Sequence, residues 1–435
     1  MIFYVKIHIL KNEKVVIMAE ISTLGAIIGL IFAIFLIFKK VNPVYAMIGG
    51  ALAGGVLGGV PLPTTVNILI QGAQSIVPAV IRVLAAGIFA GVIIETGAAD
   101  KIADTIMKAL GEKLSILAII LSSAIICGVG VALPVAVITV APIALILGEK
   151  ANLSKASVLL AILGGGKSGN IMSPNPNTIA IADGFHLSLS TVMINAGVPA
   201  LFGVIATYFI ASFLKNKGQV IRLEHSLQQE KSMPSFHLAI LGPLVVVGLL
   251  ILNSIFKLSL DSMVILPLGG IAATIAMKKK NHFLDYCTSG LNKMTGAAIL
   301  LLGTGTLAGV ISHSSLSNTI INLLGSFGIP GILLSSISGI LMGGASASIT
   351  GGSVITSTVF SQPILNMGIN PIGAAEMVHT GVSVIDDLPH GNLFHISASS
   401  VNYNIKQRMK LIPFELLIGL TMNIVATILF GFYLA

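Results

Sequence analysis

Asp386 and Asp387 stand side by side in an apolar stretch, Thr380 to His395, that reads TGVSVIDDLPHGNLFH. Adjacent carboxylates repel each other and resist removal from water, so at least one of such a pair favours holding a proton. That chemistry suits a group which takes up a proton on one side of a barrier and releases it on the other. Upstream, Glu376, His379 or Thr380, and Ser383 recur at spacings of three to four, one polar helical face leading to the pair. Asp386, Asp387, His390, Glu376 and His379 are therefore the candidates for proton coupling. A metal site from His379, His390, His395 and these acids would lack any standard ligand spacing, and none is expected.

A second polar stretch, Leu163 to Asp183, reads LGGGKSGNIMSPNPNTIAIAD. Gly164, Gly165, Gly166 and Gly169 favour an open backbone, while Pro174 and Pro176 remove two amide donors, so no continuous helix is expected here. Irregular backbone at membrane depth is tolerated only where protein or a watery cavity satisfies it, which makes the segment a binding-site candidate. Asn175, Asn177 and Thr178 offer amide and hydroxyl groups at the break, for local turns or for a ligand; prolines interleaved with asparagines in an apolar segment favour the ligand. Lys167 is costly in such a segment. It could offset a substrate carboxylate, pair with an acid, or snorkel to the inner surface. GGGKS (164–168) is no phosphate loop, because the earlier glycine that motif needs is Ala161 and no strand precedes it. A third stretch, GGASASITGG (343–352), sets Ser346, Ser348 and Thr350 between glycines, the composition of a ligand-facing tip. The candidate substrate ligands are thus Lys167, Ser168, Asn175, Asn177, Thr178, Ser346, Ser348, Thr350 and Asn392.

The elements that must position these groups are transmembrane. The chain has 435 residues, 55% hydrophobic and only 9% charged, with 47 glycines, and its mean hydropathy is +0.99. That composition excludes a soluble globular domain and predicts an all-α polytopic membrane protein. The net charge of +8 reports topology rather than a nucleic-acid partner, because the basic residues fall between apolar runs. Cys127 and Cys287 are too few for a disulfide framework. No nucleotide-binding fold or secretory signal is evident, and Met18 is a candidate start, since Met1–Ile17 matches nothing later.

Aligning Pro174 with Pro389 lays SPNPN (173–177) on LPHGN (388–392), an offset of 215 residues. Each half is then expected to hold one interrupted hairpin, at 114–147 and 329–365, and one broken helix. The expected division is 1–77, tail and first spans; 78–214, first repeat; 215–236, cytoplasmic loop; 237–293, linking spans; and 294–435, second repeat. With the 215–236 loop inside, the segments 39–40, 101–113, 150–155, 278–293 and 406–410 also fall inside, and together they hold 18 of the 24 basic residues. The two repeats are then inverted. The stretch 64–77 is expected to be a short interfacial helix.

At the polar stretches the chain resembles the gluconate permease family of proton-coupled organic-anion symporters, within the ion-transporter superfamily. SPNPNTIAIADGFHLSLSTVMINAGVPALFG (173–203) is similar to that family's Pro-rich segment and return span, GGASASITGG to its hairpin tip, and VSVIDDLPHGN (382–392) to its Leu-Asp-Ser-Leu-Pro-His-Asn stretch. The family's first element commonly reads Pro-Pro-His-Pro-Gly-Pro-Thr; Ser173, Asn175 and Asn177 replace three of those positions, so gluconate itself is not carried over. The resemblance implies a homodimer with a scaffold and a moving transport domain, and a midplane site between hairpin tips and unwound helices.

The expected function is proton-coupled uptake of a small organic anion, a gluconate-like hydroxy acid or other short carboxylate, by alternating access in the inner membrane. Sodium coupling is the nearest alternative. A membrane-embedded enzyme or a channel is disfavoured, because duplicated broken helices suit alternating access. No cofactor is expected beyond the coupling ion, H⁺ or Na⁺, and no partner beyond lipid, the substrate anion and a second copy of the chain.

Overall fold

Caps and prolines decide where the helices of this apolar chain begin. In the computed structural model, which describes residues 20–39, 41–222, 233–256, 258, 260–316, 319, 330–389 and 391–433, Ser22, Ser154, Asn175 and Ser348 each accept a hydrogen bond from the first turn they precede. Pro43, Pro134, Pro176 and Pro371 occupy the first turns of their helices, where the missing N–H costs nothing. The Met1–Ile17 tail with Met18, the middle of the 215–236 loop and His390 lie outside the described residues.

The first half runs α1 (Thr23–Phe38), α2 (Pro43–Leu57), α3 (Leu62–Ser75), α4 (Val77–Glu95), α5 (Ala98–Leu110), α6 (Ser115–Gly128), α7 (Leu133–Lys150), α8 (Lys155–Ile171), α9 (Pro176–Gly184), α10 (Leu189–Asn195) and α11 (Gly197–Leu214). The second runs α12 (Leu241–Phe256), α13 (Ser262–Ala276), α14 (Phe283–Ser312), α15 (Leu333–Ser346), α16 (Ile349–Val359), α17 (Pro371–Gly381), α18 (Asn392–Ser400) and α19 (Ile412–Ile428), with short helical turns between. Among the described residues there is no strand, and six helices are long and apolar enough to cross a membrane. A seventh span forms if α5 and Glu112–Gly128, bent by 103°, count as one. The protein is an all-helical, multi-span membrane protein.

Two hairpins, α6–α7 and α15–α16, turn at Gly130 and Ala347, both in the left-handed region (φ +101° and +44°). Each precedes a broken helix, α8–α9 or α17–α18. The starts of α8, α9 and α11 (155, 176, 197) precede those of α17, α18 and α19 (371, 392, 412) by 215 or 216 residues. The stretch 64–77, expected at the interface, falls largely in α3, which lies against α14. A Cβ on Gly72 would stand 2.2 Å from the Gly305 carbonyl oxygen.

The first break is shorter than the sequence suggests. α8 runs unbroken through Gly164, Gly165, Gly166 and Gly169, and the helix opens only at 172–175. The glycines serve close packing rather than an open backbone: a Cβ on Gly165 or Gly169 would lie 2.3 Å from the Ile120 carbonyl oxygen or 1.9 Å from that of Ala124. Small residues let helices in a membrane approach to backbone contact. Gly169→Ala should push α6 from α8 and lower stability by about 1–3 kcal/mol, the usual cost of overpacking. Thermal unfolding in detergent measures it, and an unchanged midpoint would refute the close-packing role.

Candidate functional site

A cavity of about 360 Å³ opens where both hairpins and both breaks meet, toward the small end of the range for ligand sites. Its walls are helix beginnings. Leu133 and Pro134 start α7, Asn175 caps α9 ahead of Pro176 and Asn177, Ser348 caps α16 ahead of Ile349 and Thr350, and Asn392 and Leu393 start α18. A helix N-terminus carries unpaired N–H groups and the positive end of its dipole, so four of them around one cavity favour an anion. α14 closes another side with Lys293, Met294, Gly296, Ala297 and Leu300. The Lys293 ammonium is 2.9 Å from Glu95 Oε1.

Five of the nine candidate ligands line this cavity: Asn175, Asn177, Ser348, Thr350 and Asn392. Asn175 is committed to the break itself. Its Oδ1 accepts from the Asn177 and Thr178 amides at 2.9 and 3.1 Å, and its amide nitrogen donates to Asn170 and Ser173. The Thr350 hydroxyl donates to Asn177 Oδ1 at 2.6 Å, joining the second hairpin tip to the first break. Asn177 keeps its NH₂, which has no partner among the described residues.

The other four candidates do not reach the cavity. The Ser168 hydroxyl donates to the Gly164 carbonyl at 2.8 Å, Ser346 to Met342 at 2.7 Å, and Thr178 to Asn175 at 3.2 Å, each satisfied locally. Lys167, a candidate counter-charge for substrate, instead meets Asp386 Oδ1 at 2.6 Å and the Ser383 carbonyl at 3.2 Å. It is only 1% exposed and does not snorkel. Pairing with an acid, one of the three readings open to sequence, is what the fold shows.

Asp387 is held by a residue that sequence reasoning used only as a marker of topology. Arg408, counted among cytoplasmic cations, is fully buried. Its guanidinium pairs with Asp387 and, through both terminal nitrogens, with Glu415 in the first turn of α19. Nε donates to the Ser397 hydroxyl at 2.8 Å. The signal in the sequence was a cation and a carboxylate seven residues apart at the mouth of an apolar run, although the turn at 410–411 places them on two successive helices. Glu376 and His379 are both fully buried on α17, and neither side chain has a hydrogen-bond partner among the described residues. A second unforeseen cluster joins Arg82 on α4 to Asp183 at the end of α9 and to Asp261, which caps α13. It ties the far end of the first broken helix to two neighbouring spans.

Two hairpins and two broken helices that meet at a cavity lined by helix N-termini are the architecture of a multi-span membrane transporter. A profile of the GntP family permease matches residues 21–433. An uncharacterized transporter of Haemophilus influenzae is 49% identical over 417 residues, covering 96% of this chain and all of that one. The gluconate permease of Zymomonas mobilis is 23% identical, covering 89% of this chain and 92% of its own. Among solved structures, the crystal structure of the Alcanivorax borkumensis YdaH transporter superposes with a TM-score of 0.64 at 14% identity, over 94% of this chain and 99% of that one; that likeness concerns fold alone. The chain belongs to the GntP permease family, and it is a transporter rather than an enzyme.

Proposed function

We propose that the protein is a secondary active transporter of the inner membrane that takes up a small organic anion together with protons. The observation that carries this reading is the convergence of four helix N-termini on one cavity, one of them following directly on the break that holds the buried Asp386 and Asp387. In this reading a substrate carboxylate sits among Asn177, Ser348, Thr350 and Asn392, and Lys293 is the cation on the cavity wall. One of Asp386 and Asp387 carries the proton. The gluconate names borne by relatives support a hydroxy acid or other short carboxylate as the substrate. The recurrent element order supports two repeats, the uneven distribution of Lys and Arg supports their inversion and with it alternating access, and the resemblance supports a homodimer.

Purified protein in proteoliposomes, offered a panel of carboxylates under separate proton and sodium gradients, tests the function. A proton gradient alone should drive accumulation of a hydroxy acid or short carboxylate. Accumulation under sodium alone would replace the proton in this account, and none with any carboxylate would end it. Orientation has its own test. With Cys127 and Cys287 replaced, a cysteine at Lys217 should be labelled only from the cytoplasm and one at Gly368 only from outside; labelling from the same side would refute the inverted repeats.

A further inference from the structure

The buried charges gathered around the second break do not balance. Among the described residues, Lys167 and Arg408 face Asp386, Asp387 and Glu415, two cations against three carboxylates, and none of the five is more than 4% exposed. An excess charge shut away from water is expensive, and a buried group usually sheds it by exchanging a proton. The excess can be located. Lys167 and Asp386 match one to one. Arg408 serves two acids, and serves them unequally: each Glu415 oxygen receives a guanidinium N–H, whereas Asp387 receives one on Oδ2 only. Asp387 Oδ1 is buried with no partner.

A sodium ion would need several oxygens converging on it. Here the carboxylate oxygens left over are Asp387 Oδ1 and Asp386 Oδ2, with a guanidinium and an ammonium close by to repel a metal cation. A proton needs a single oxygen. The groups that set its affinity are Arg408 in the 405–409 helical turn, Glu415 on α19, Lys167 on α8 and Asp386 next in the chain. Glu376 and His379 on α17 make no hydrogen bond or ion pair with the cluster.

Resting on the proposed coupling to protons, we infer that the transported proton is held on Asp387, and that Glu415, which shares Arg408 with it and lies within hydrogen-bond reach of it, is the positioning residue that keeps it there. While Asp387 is a neutral acid, Arg408 belongs to Glu415. When the O–H bond breaks and the proton leaves, the guanidinium is shared between two carboxylates, a state that draws a proton back. Removing the Glu415 charge leaves Arg408 to Asp387 alone, a balanced pair with no need of a proton.

Infrared difference spectra of the full-length protein in lipid, between acid and alkaline buffer, read buried protonated carboxyl groups directly. Asp387→Asn should lose one protonated-acid carbonyl band present in the wild type. Glu415→Gln should lose the same band, and Glu415→Asp should keep it. In proteoliposomes both Asp387→Asn and Glu415→Gln should still exchange substrate across the membrane while losing accumulation driven by a pH gradient. A band unchanged in Asp387→Asn overturns the assignment whatever uptake shows. A band lost there but kept in Glu415→Gln overturns the role of Glu415. If wild-type uptake ignores the proton gradient while the band behaves as expected, the coupling proposal fails and the proton site stands. Should Glu415→Gln not fold, Asp387→Asn decides the site by itself.

Discussion

Lys167→Met should lower the stability of the protein by about 3–5 kcal/mol, because it leaves Asp386 as an unpaired charge in a dry interior. Lys167 and Asp386 are both 1% exposed, and the 2.6 Å contact between them joins α8 to the second break. The paired substitution Lys167→Met with Asp386→Leu should recover most of that loss, since a buried ion pair exchanged whole for apolar groups is close to neutral. The contrast is Lys108, whose side chain is 74% exposed and whose partner Asp104 also keeps Lys101 at 3.6 Å. Lys108→Ala should cost no more than about 1 kcal/mol. Reversible unfolding in detergent measures all three. A single Lys167 variant as stable as the wild type would show that the contact does not hold the two halves together.

Asn177→Ala should weaken substrate binding by about 1.5–3 kcal/mol, roughly 10- to 150-fold, the usual worth of a hydrogen bond to a charged group. Ser348→Ala should do so by a similar factor, and Ser348 also caps α16, so its variant should lose some stability too. Asn175→Ala provides the contrast. Its polar atoms are spent within the break, on Asn170, Ser173, Asn177 and Thr178. It should therefore destabilise the fold more than it alters affinity in whatever folded protein remains. Titration calorimetry on the monodisperse fraction separates the two effects. Wild-type affinity in both Asn177→Ala and Ser348→Ala would make those groups structural only.

Much of the architecture was legible because it depends on local composition. The hairpins show as glycines and a proline interrupting apolar runs at 128–134 and 343–352, and the two breaks show as Pro174 with Pro176 and as Pro389. The glycines of α8 misled, since glycine loosens a backbone in isolation but lets a helix pack closely when a neighbour is present. Only the fold reveals that Ile120 and Ala124 occupy the space. Arg408 misled for a related reason. A cation just before an apolar run resembles a cytoplasmic anchor until Asp387, 21 residues earlier, is folded against it. The Thr350–Asn177 bond spans 173 residues, and no window along the sequence could pair them. Lys167 was recognisable as consequential, yet the choice among its three readings needed the second half of the chain.

Protection of a cysteine in the cavity wall tests most directly whether the anion binds where the four helix N-termini meet. Ala297, on α14, lines the cavity without belonging to the polar ligand set, and Ala297→Cys in a chain with Cys127 and Cys287 replaced gives a single reporter. Its labelling by a small maleimide should slow in the presence of a carboxylate that the protein accumulates in proteoliposomes. A neutral polyol of the same size should not slow it, nor should the carboxylate slow labelling of a cysteine at Gly368. A labelling rate at Ala297→Cys that stays constant while a transported carboxylate saturates the protein would contradict the site.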